Sequence, residues 1–448
     1  MQRQKVSALR LFPNCRFVIV MREKIIEIKH LISNRLARLS NDRRPMGLPS
    51  WYSPNANHVA LRPDQRVGLY QAWIPEHTGA LVSAVSGHVD FSMVDLGIMR
   101  DVSAKSDRVS ALRFATDHSS EYRRMVMHKL APYRKNAAFL MVTFDWQPFT
   151  RHIVYAAAAL GIPTILLPHE SVFANEDLYY KHPRLGINTP ACDLVLAWGD
   201  LQERVFSERG YPIERIIKIG APKFDYVGSL RGRIDRSAVK MLGLDPDRTT
   251  WCFAAQPLDS QFDCAAARSA QNSAIIDVIK IAKSLKCQVI VREPPSKDQV
   301  LSQEVRELVS NSSHVALDEA MLYILNPAET VAVSDVMISI NSTMLLEAAL
   351  AGRVVISTKY VDFSQLWDGL NIQVALNTQQ LEERLTAAHG NPGAITSQYN
   401  TEWAAKLFSV GQFDGEATLR ARKILGEVAL GDRKITTGFA STKPFLPS

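Results

Sequence analysis

The chain lacks most of the short motifs by which a sequence declares its chemistry. Its five cysteines, Cys15, Cys192, Cys252, Cys264 and Cys287, form no C-x-x-C pair and no Cys/His spacing suited to zinc. That excludes the common zinc folds and a disulfide framework, and the cysteines read as reduced thiols. No apolar run reaches the length of a membrane span, and the N-terminus shows no apolar core followed by a small-residue cleavage site. A cytoplasmic protein is the expectation. G-x-x-x-x-G-K-[ST] is missing and no G-x-G-x-x-G follows an apolar strand, so ATP hydrolysis and dinucleotide redox chemistry lose support. A G-x-S-x-G nucleophile elbow is missing too. No D-x-D pair stands at a strand end to hold a divalent ion, so no metal site is expected.

What is present is an ordinary soluble composition on a long chain. The 448 residues are 46% apolar and 22% charged, more than one hydrophobic core usually organises, so two domains are expected. The formal charge is +7. Its basic residues are scattered, which suits mild attraction to nucleotides or to an anionic membrane face better than nucleic-acid binding. Between Met21 and Arg44, the residues Ile25, Ile26, Ile28, Leu31, Ile32, Leu36 and Leu39 recur at helical spacing among Lys, Arg and Asn. That segment, set apart as residues 1–45, reads as a basic amphipathic helix that lies on an anionic bilayer or packs on the first domain.

From about residue 58 to 360, apolar runs alternate with helix-period segments, the pattern of α/β architecture with parallel sheets. The clearest unit is strand 137–144, a helix to Leu160, Gly161-Ile-Pro and strand 164–167, a crossover with Gly at the helix end and Pro beyond it. Strands at 193–198 and 216–219 follow. Between Tyr226 and Thr250 the chain turns basic and polar, and Gly228, Gly232 and Gly243 interrupt any long element, which places a linker there. The order then restarts with strands at 251–255, 288–291, 315–317, 336–340 and 354–356. The expected domains are 46–228 and 229–430, the latter ending in helical segments, with 431–448 a flexible tail.

Open parallel sheets bind ligands beyond the carboxyl ends of their strands. Those ends carry Asp145-Trp146, Pro168-His169-Glu170, Gly220-Ala-Pro-Lys223, Gln256-Pro-Leu-Asp259, Arg292-Glu-Pro-Pro-Ser296 and Asn341-Ser342-Thr343. The last turn enters a helix at its N-terminus, where hydroxyls, backbone N–H groups and the helix dipole favour a phosphate; an ordinary capped helix is the other reading. Glu347, one turn in, is within reach of a sugar or ribose hydroxyl. Arg292 suits a phosphate because its guanidinium donates two parallel bonds and stays charged; otherwise it forms an ion pair, for instance with Glu293. His169 or Glu170 is the candidate general base. Asp145 and Trp146 are read as acceptor contacts, the indole as a stacking platform.

Two stretches carry a resemblance. Asp193-Leu-Val-Leu-Ala-Trp-Gly199 through Gly210 to Lys218-Ile-Gly-Ala-Pro-Lys-Phe-Asp225, and Ser334-Asp335 through Ser342-Thr343 to Glu347-Ala-Ala-Leu-Ala-Gly352, resemble the linker-side and donor-phosphate motifs of GT-B glycosyltransferases of bacterial surface polysaccharide synthesis. That group includes capsule polysaccharide, Kdo and CDP-glycerol transferases. The similarity spans roughly residues 137 to 360. It implies two Rossmann-like doubly wound domains facing a central cleft, and a cytoplasmic enzyme, peripheral on the membrane's inner face. It implies transfer of a sugar or polyol phosphate from a CMP-, CDP- or UDP-linked donor to a glycan or lipid-linked glycan, with no cofactor and no metal. The donor contacts would be Gly220, Lys223, Gln256, Arg292, Ser296, Asn341, Ser342, Thr343 and Glu347. Two departures stand out: Glu170 replaces the glycine of a His-Gly pair, and Pro294 stands where the group carries a phosphate-contacting histidine. The alternatives are a UDP-amino-sugar 2-epimerase, whose family shares these motifs, and a non-catalytic partner in a polysaccharide assembly complex.

Overall fold

The computed structural model describes residues 48–442 apart from 54–61, 63, 74, 87–90, 101–104, 170–178, 183–184, 257–264, 295–298, 321 and 364. The basic segment before residue 45, Glu170 and Ser296 lie outside the described residues. Two six-stranded sheets organise the rest. The first contains β1 (Val67–Tyr70), β2 (Ser92–Asp95), β3 (Ala137–Val142), β4 (Thr164–Leu166), β5 (Leu194–Ala197) and β6 (Ile216–Lys218), in the order β2-β1-β3-β4-β5-β6. The second contains β7 (Thr250–Ala254), β8 (Gln288–Arg292), β9 (Val315–Asp318), β10 (Val336–Ser339), β11 (Val354–Thr358) and β12 (Gln373–Ala375), in the order β12-β11-β10-β7-β8-β9. Every pairing between these strands is parallel. Both sheets are doubly wound and Rossmann-like. Strands β1, β2 and β12 escape the sequence reading because each is only three or four residues long, and β2 and β12 are only partly buried.

Continuous apolar runs form the central strands because both sheet faces are covered. Along β3, Leu140 and Val142 enter the main core, while Phe139 and Met141 turn to the opposite face, as the two-residue period of a strand requires. That opposite face is covered by helix Pro75–Ser86 and, unexpectedly, by helix Ala417–Leu430 through Ala421, Ile424, Leu425 and Val428. The reading that kept 229–430 together is therefore corrected: residues 417–430 return to the first sheet, whose hydrophobic face they close.

The flexible-tail reading needs a similar correction. Through Thr442 the chain is laid against the first sheet's helices, with Phe439 and Ala440 buried. The Phe439 N–H donates to Asp193 Oδ1 at 2.8 Å, and its ring lies edge-on to Tyr211 and 4.9 Å beneath the Arg215 guanidinium.

Two strands of chain thus run between the sheets, one outward near residue 222 and one back near residue 410. They meet closely. A Cβ on Gly199 would come within 2.6 Å of the Leu407 carbonyl oxygen. On Gly220, where φ is +85°, it would meet Ala417 Cβ at 3.0 Å and Arg420 Nη2 at 3.1 Å. Asp225 fastens the crossing: its carboxylate accepts from Ala417 N at 3.0 Å and Thr418 N at 2.7 Å. The last helix has no capping side chain of its own, so a residue far away in sequence satisfies its first N–H groups.

Candidate functional site

The order of the second sheet reverses between β7 and β10, the switch point where a doubly wound sheet opens a crevice. Gln256, just past β7, spans that gap: its Oε1 accepts the Asn341 N–H at 2.6 Å, and its own N–H donates to Gln271 Oε1 at 2.9 Å. It sets the turn after β10. Asn341 Oδ1 accepts from Leu366 N at 3.3 Å, whereas its buried Nδ2 has no hydrogen-bond partner among the described residues. A buried donor left without an acceptor is costly. It marks the place where a ligand oxygen would be welcome.

Ser342 is the N-cap of helix Thr343–Leu350, and its Oγ accepts from Met344 N at 3.2 Å. The capping role and the ligand role are compatible, because a hydroxyl that accepts one bond still has a proton to donate. The buried Trp367 indole donates to the Ser342 carbonyl at 3.1 Å and fixes the cap.

The linker comes to meet this helix start. Lys223 Nζ lies 3.3 Å from Thr343 Oγ1 and 3.1 Å from Glu347 Oε1. The Tyr226 hydroxyl donates to the other carboxylate oxygen, Oε2. Burial, and then the Glu347 charge, raise the Tyr226 pKa, so the phenol holds its proton. Glu347 is 3% exposed, and both its oxygens face groups from the segment between the sheets. Sequence reasoning named Lys223, Thr343 and Glu347 but missed Tyr226, which stands three residues beyond Lys223 and one past the end of the linker-side motif at Asp225.

His169 reaches the same neighbourhood from the first sheet. Its Nδ1 lies 3.1 Å from the Thr143 carbonyl; a carbonyl can only accept, so that nitrogen carries the proton and the neutral ring's lone pair is on Nε2. Burial, opposed by the Thr143 bond and aided by the Lys223 charge, pushes the His169 pKa down to about 4. The imidazole is neutral at working pH. Phe144 packs edge-on against it, and Trp198 Nε1 holds the preceding Pro168 carbonyl at 2.9 Å.

Other expected site residues have different work. Arg292 is 5% exposed, and its Nη1 donates to Asp318, to the Leu325 carbonyl at 2.7 Å and to Thr330 Oγ1 at 2.9 Å. The Tyr323 ring covers the guanidinium, 4.1 Å from ring centre to Cζ. The partner is thus Asp318, not Glu293, which pairs with Arg306. Asp145 is fully buried; it accepts from the Tyr180 hydroxyl, from Ala191 N at 2.6 Å and from Cys192 N at 3.1 Å, with Arg151 beside it. Enclosed in this way, the carboxylate is out of reach of an acceptor sugar. Trp146 is partly buried against the core and tilted toward Phe144, a packing position. Gly220 serves the crossing described above. Among the described residues no group of three or more His, Cys, Asp or Glu side chains gathers to hold a metal, and no helix is long and apolar enough to cross a membrane.

No family model and no curated protein matches the chain. Solved structures do. The chain is similar to UDP-GlcNAc 2-epimerase from Neisseria meningitidis bound to UDP-GlcNAc, with a TM-score of 0.55 and 13% identity over 82% of this chain and 100% of that one. It is also similar to the wall teichoic acid polymerase TagF, with a TM-score of 0.50 and 14% identity over 83% of this chain and 90% of that one. At such identities the likeness is one of fold: two Rossmann-like domains in the GT-B arrangement.

Proposed function

We propose that the protein moves a sugar or polyol phosphate unit from a pyrimidine-nucleotide-activated donor to a growing cell-surface glycan. One observation carries this reading: the ammonium of Lys223, on the linker, joins Thr343 and Glu347 at the start of a helix while its charge bears on His169 from the other sheet. Phosphate seat, hydroxyl-binding carboxylate and neutral base come together from three parts of the chain. The TagF polymerase, similar in fold, belongs to wall teichoic acid synthesis, which suits a surface-polymer substrate.

In this scheme the donor's phosphates lie against Lys223, Thr343, Ser342 and Asn341 Nδ2. His169 Nε2 takes the proton of the acceptor hydroxyl as its oxygen attacks the activated centre. The bond to the leaving phosphate breaks, and the charge that develops there is met by the Lys223 ammonium and the helix start. Charge neutralisation by these groups needs no metal ion.

A thermal-shift panel of CMP, CDP, UDP and GDP tests the reading, since a ligand that binds only the folded state raises its melting temperature by mass action. A pyrimidine nucleotide should stabilise the protein, and no shift with any of the four would end the proposal. The same carboxylate, ammonium and imidazole would also suit proton transfer at a sugar carbon, and the fold is shared with an epimerase bound to UDP-GlcNAc. Incubation with UDP-GlcNAc and no acceptor separates the two: a C2 epimer appearing in solution selects the epimerase.

A further inference from the structure

The charged groups around the helix start differ in how firmly they are committed. Arg292 is tied to Asp318 within one sheet, and His169 is neutral. Lys223 alone among these is a partly exposed cation, its side chain 34% accessible, resting on a carboxylate whose side chain is 4% accessible. The two oxygens of that carboxylate are divided: Oε1 belongs to Lys223, at 3.1 Å, and Oε2 to the Tyr226 hydroxyl. Lys223 also stands 3.3 Å from Thr343 Oγ1, at the helix end that attracts anions.

We propose that Lys223 exchanges partners when ligand binds: the ligand's phosphate takes the ammonium from Glu347, and the vacated Oε1 accepts a hydroxyl of the same ligand. This rests on the nucleotide-donor reading above and deepens it. An ammonium on a four-carbon stem can turn through such a distance, because it is a point charge with three donors and no fixed plane. Glu347 cannot be left bare, since a buried carboxylate stripped of its donors is strongly unfavourable. Tyr226 stays on Oε2 throughout, so only one new donor is required. A ligand with phosphate alone strands Oε1; a ligand with a hydroxyl alone leaves Lys223 in place. The site therefore selects molecules that present both groups a fixed distance apart, as a nucleotide-linked sugar does.

The exchange makes a prediction whose sign ordinary damage cannot mimic. Inorganic pyrophosphate, which has no such hydroxyl, is titrated against bound UDP in the wild type, Lys223→Met, Glu347→Gln and the double variant. Glu347→Gln should tighten pyrophosphate binding by about tenfold, because the competing counter-ion is gone. Lys223→Met should weaken it, Lys223→Arg should recover part of the loss, and the double variant should match Lys223→Met. UDP affinity should fall in both single variants. If Glu347→Gln leaves pyrophosphate binding unchanged or weaker, the exchange is wrong even though the nucleotide site stands. If the wild type binds no UDP at all, the donor reading itself fails and takes the exchange with it.

Discussion

Arg292 and Lys223 both bring a positive charge to the carboxyl edge of the second sheet, but their carboxylate partners are held in different ways. Arg292 and Asp318 end adjacent strands, β8 and β9, and face each other in register. Two further acceptors and an aromatic ring close around the guanidinium. That pair ties two strand ends and the loop after β9 into one body. Lys223 and Glu347 belong to segments more than a hundred residues apart, one on the linker and one on a helix of the second sheet, and the cation is partly in water. A charge sealed inside one unit holds structure together, whereas a charge shared between a linker and a binding edge can be redirected.

The largest effect expected is from breaking the sealed pair. Arg292→Ala leaves Asp318 buried without its cation, which costs on the order of 3–5 kcal/mol. A large drop in denaturant or thermal midpoint should follow, and Asp318→Asn should behave alike. An Arg292→Ala protein that melts like the wild type but no longer binds nucleotide would instead restore Arg292 as a ligand contact.

A second contrast of this kind involves His152 and His169, both with pKa values pushed down to about 4 chiefly by burial. In each, the unfolded chain holds a proton near pH 6.5 that the folded chain refuses. Below that value the unfolded state takes up more protons, so stability is full above about pH 6.5 and falls as pH drops toward 4. Unfolding free energy measured across that window should decline with acid, and His152→Gln should flatten the slope without altering nucleotide affinity. His169 as base predicts more: the acid limb of kcat/KM should lie near pH 4. An acid limb near 6.5 would point to a different base.

Smaller still is the loss from Lys223→Met. Removing one charged hydrogen-bond donor is worth about 1.5–3 kcal/mol, or roughly tenfold to a hundredfold in kcat/KM. Lys223 is partly in water and Tyr226 keeps Oε2 of Glu347, but the buried Oε1 loses its donor, so the melting temperature should fall, by less than in Arg292→Ala. Equal damage to melting and to turnover would erase the distinction between the two cations.

Much of the architecture was legible because it rests on local rules. Apolar runs such as Val289-Ile-Val291 read as strands buried on both faces. The helix start at Ser342-Thr343 and its Glu347 stand out on equally local grounds. The capping box at Asn326, with Pro327 after it and Glu329 three residues on, went unread although it is just as local, and the structure forms its reciprocal pair of bonds. Partner choice was not legible. Nothing in Val291-Arg292 says that its acceptor is the end of the next strand, and nothing in Phe144-Asp145 says that a segment nearly fifty residues on will supply backbone N–H groups at Ala191 and Cys192. Likewise, the stretch up to 430 reads as helical from sequence, but which sheet the apolar stripe of 417–430 covers is decided by the path of the chain. Charged residues at strand ends are drawn toward ligands and toward buried ion pairs by the same electrostatics, so residue type alone cannot separate the two.

The mildest prediction concerns that return path. Asp225 sits two residues past Lys223 and caps the helix that crosses back, accepting from both Ala417 N and Thr418 N. Arg420, one turn into that helix, donates to the Ile219 carbonyl at 2.7 Å and pairs with Asp414. The segment that offers Lys223 and Tyr226 to Glu347 is therefore anchored at its other side to the first sheet's covering helix. Asp225→Ala should cost about 1 kcal/mol, the usual worth of an N-cap side chain, and shift the melting temperature only slightly. If the cap also fixes the linker's position, nucleotide affinity will fall along with it, although Asp225 itself is bonded to the backbone of Ala417 and Thr418 and not to Glu347. Unaltered affinity would mean that Lys223 and Tyr226 hold their places through Glu347 alone, making the carboxylate the organiser of the linker and the crossing helix a bystander.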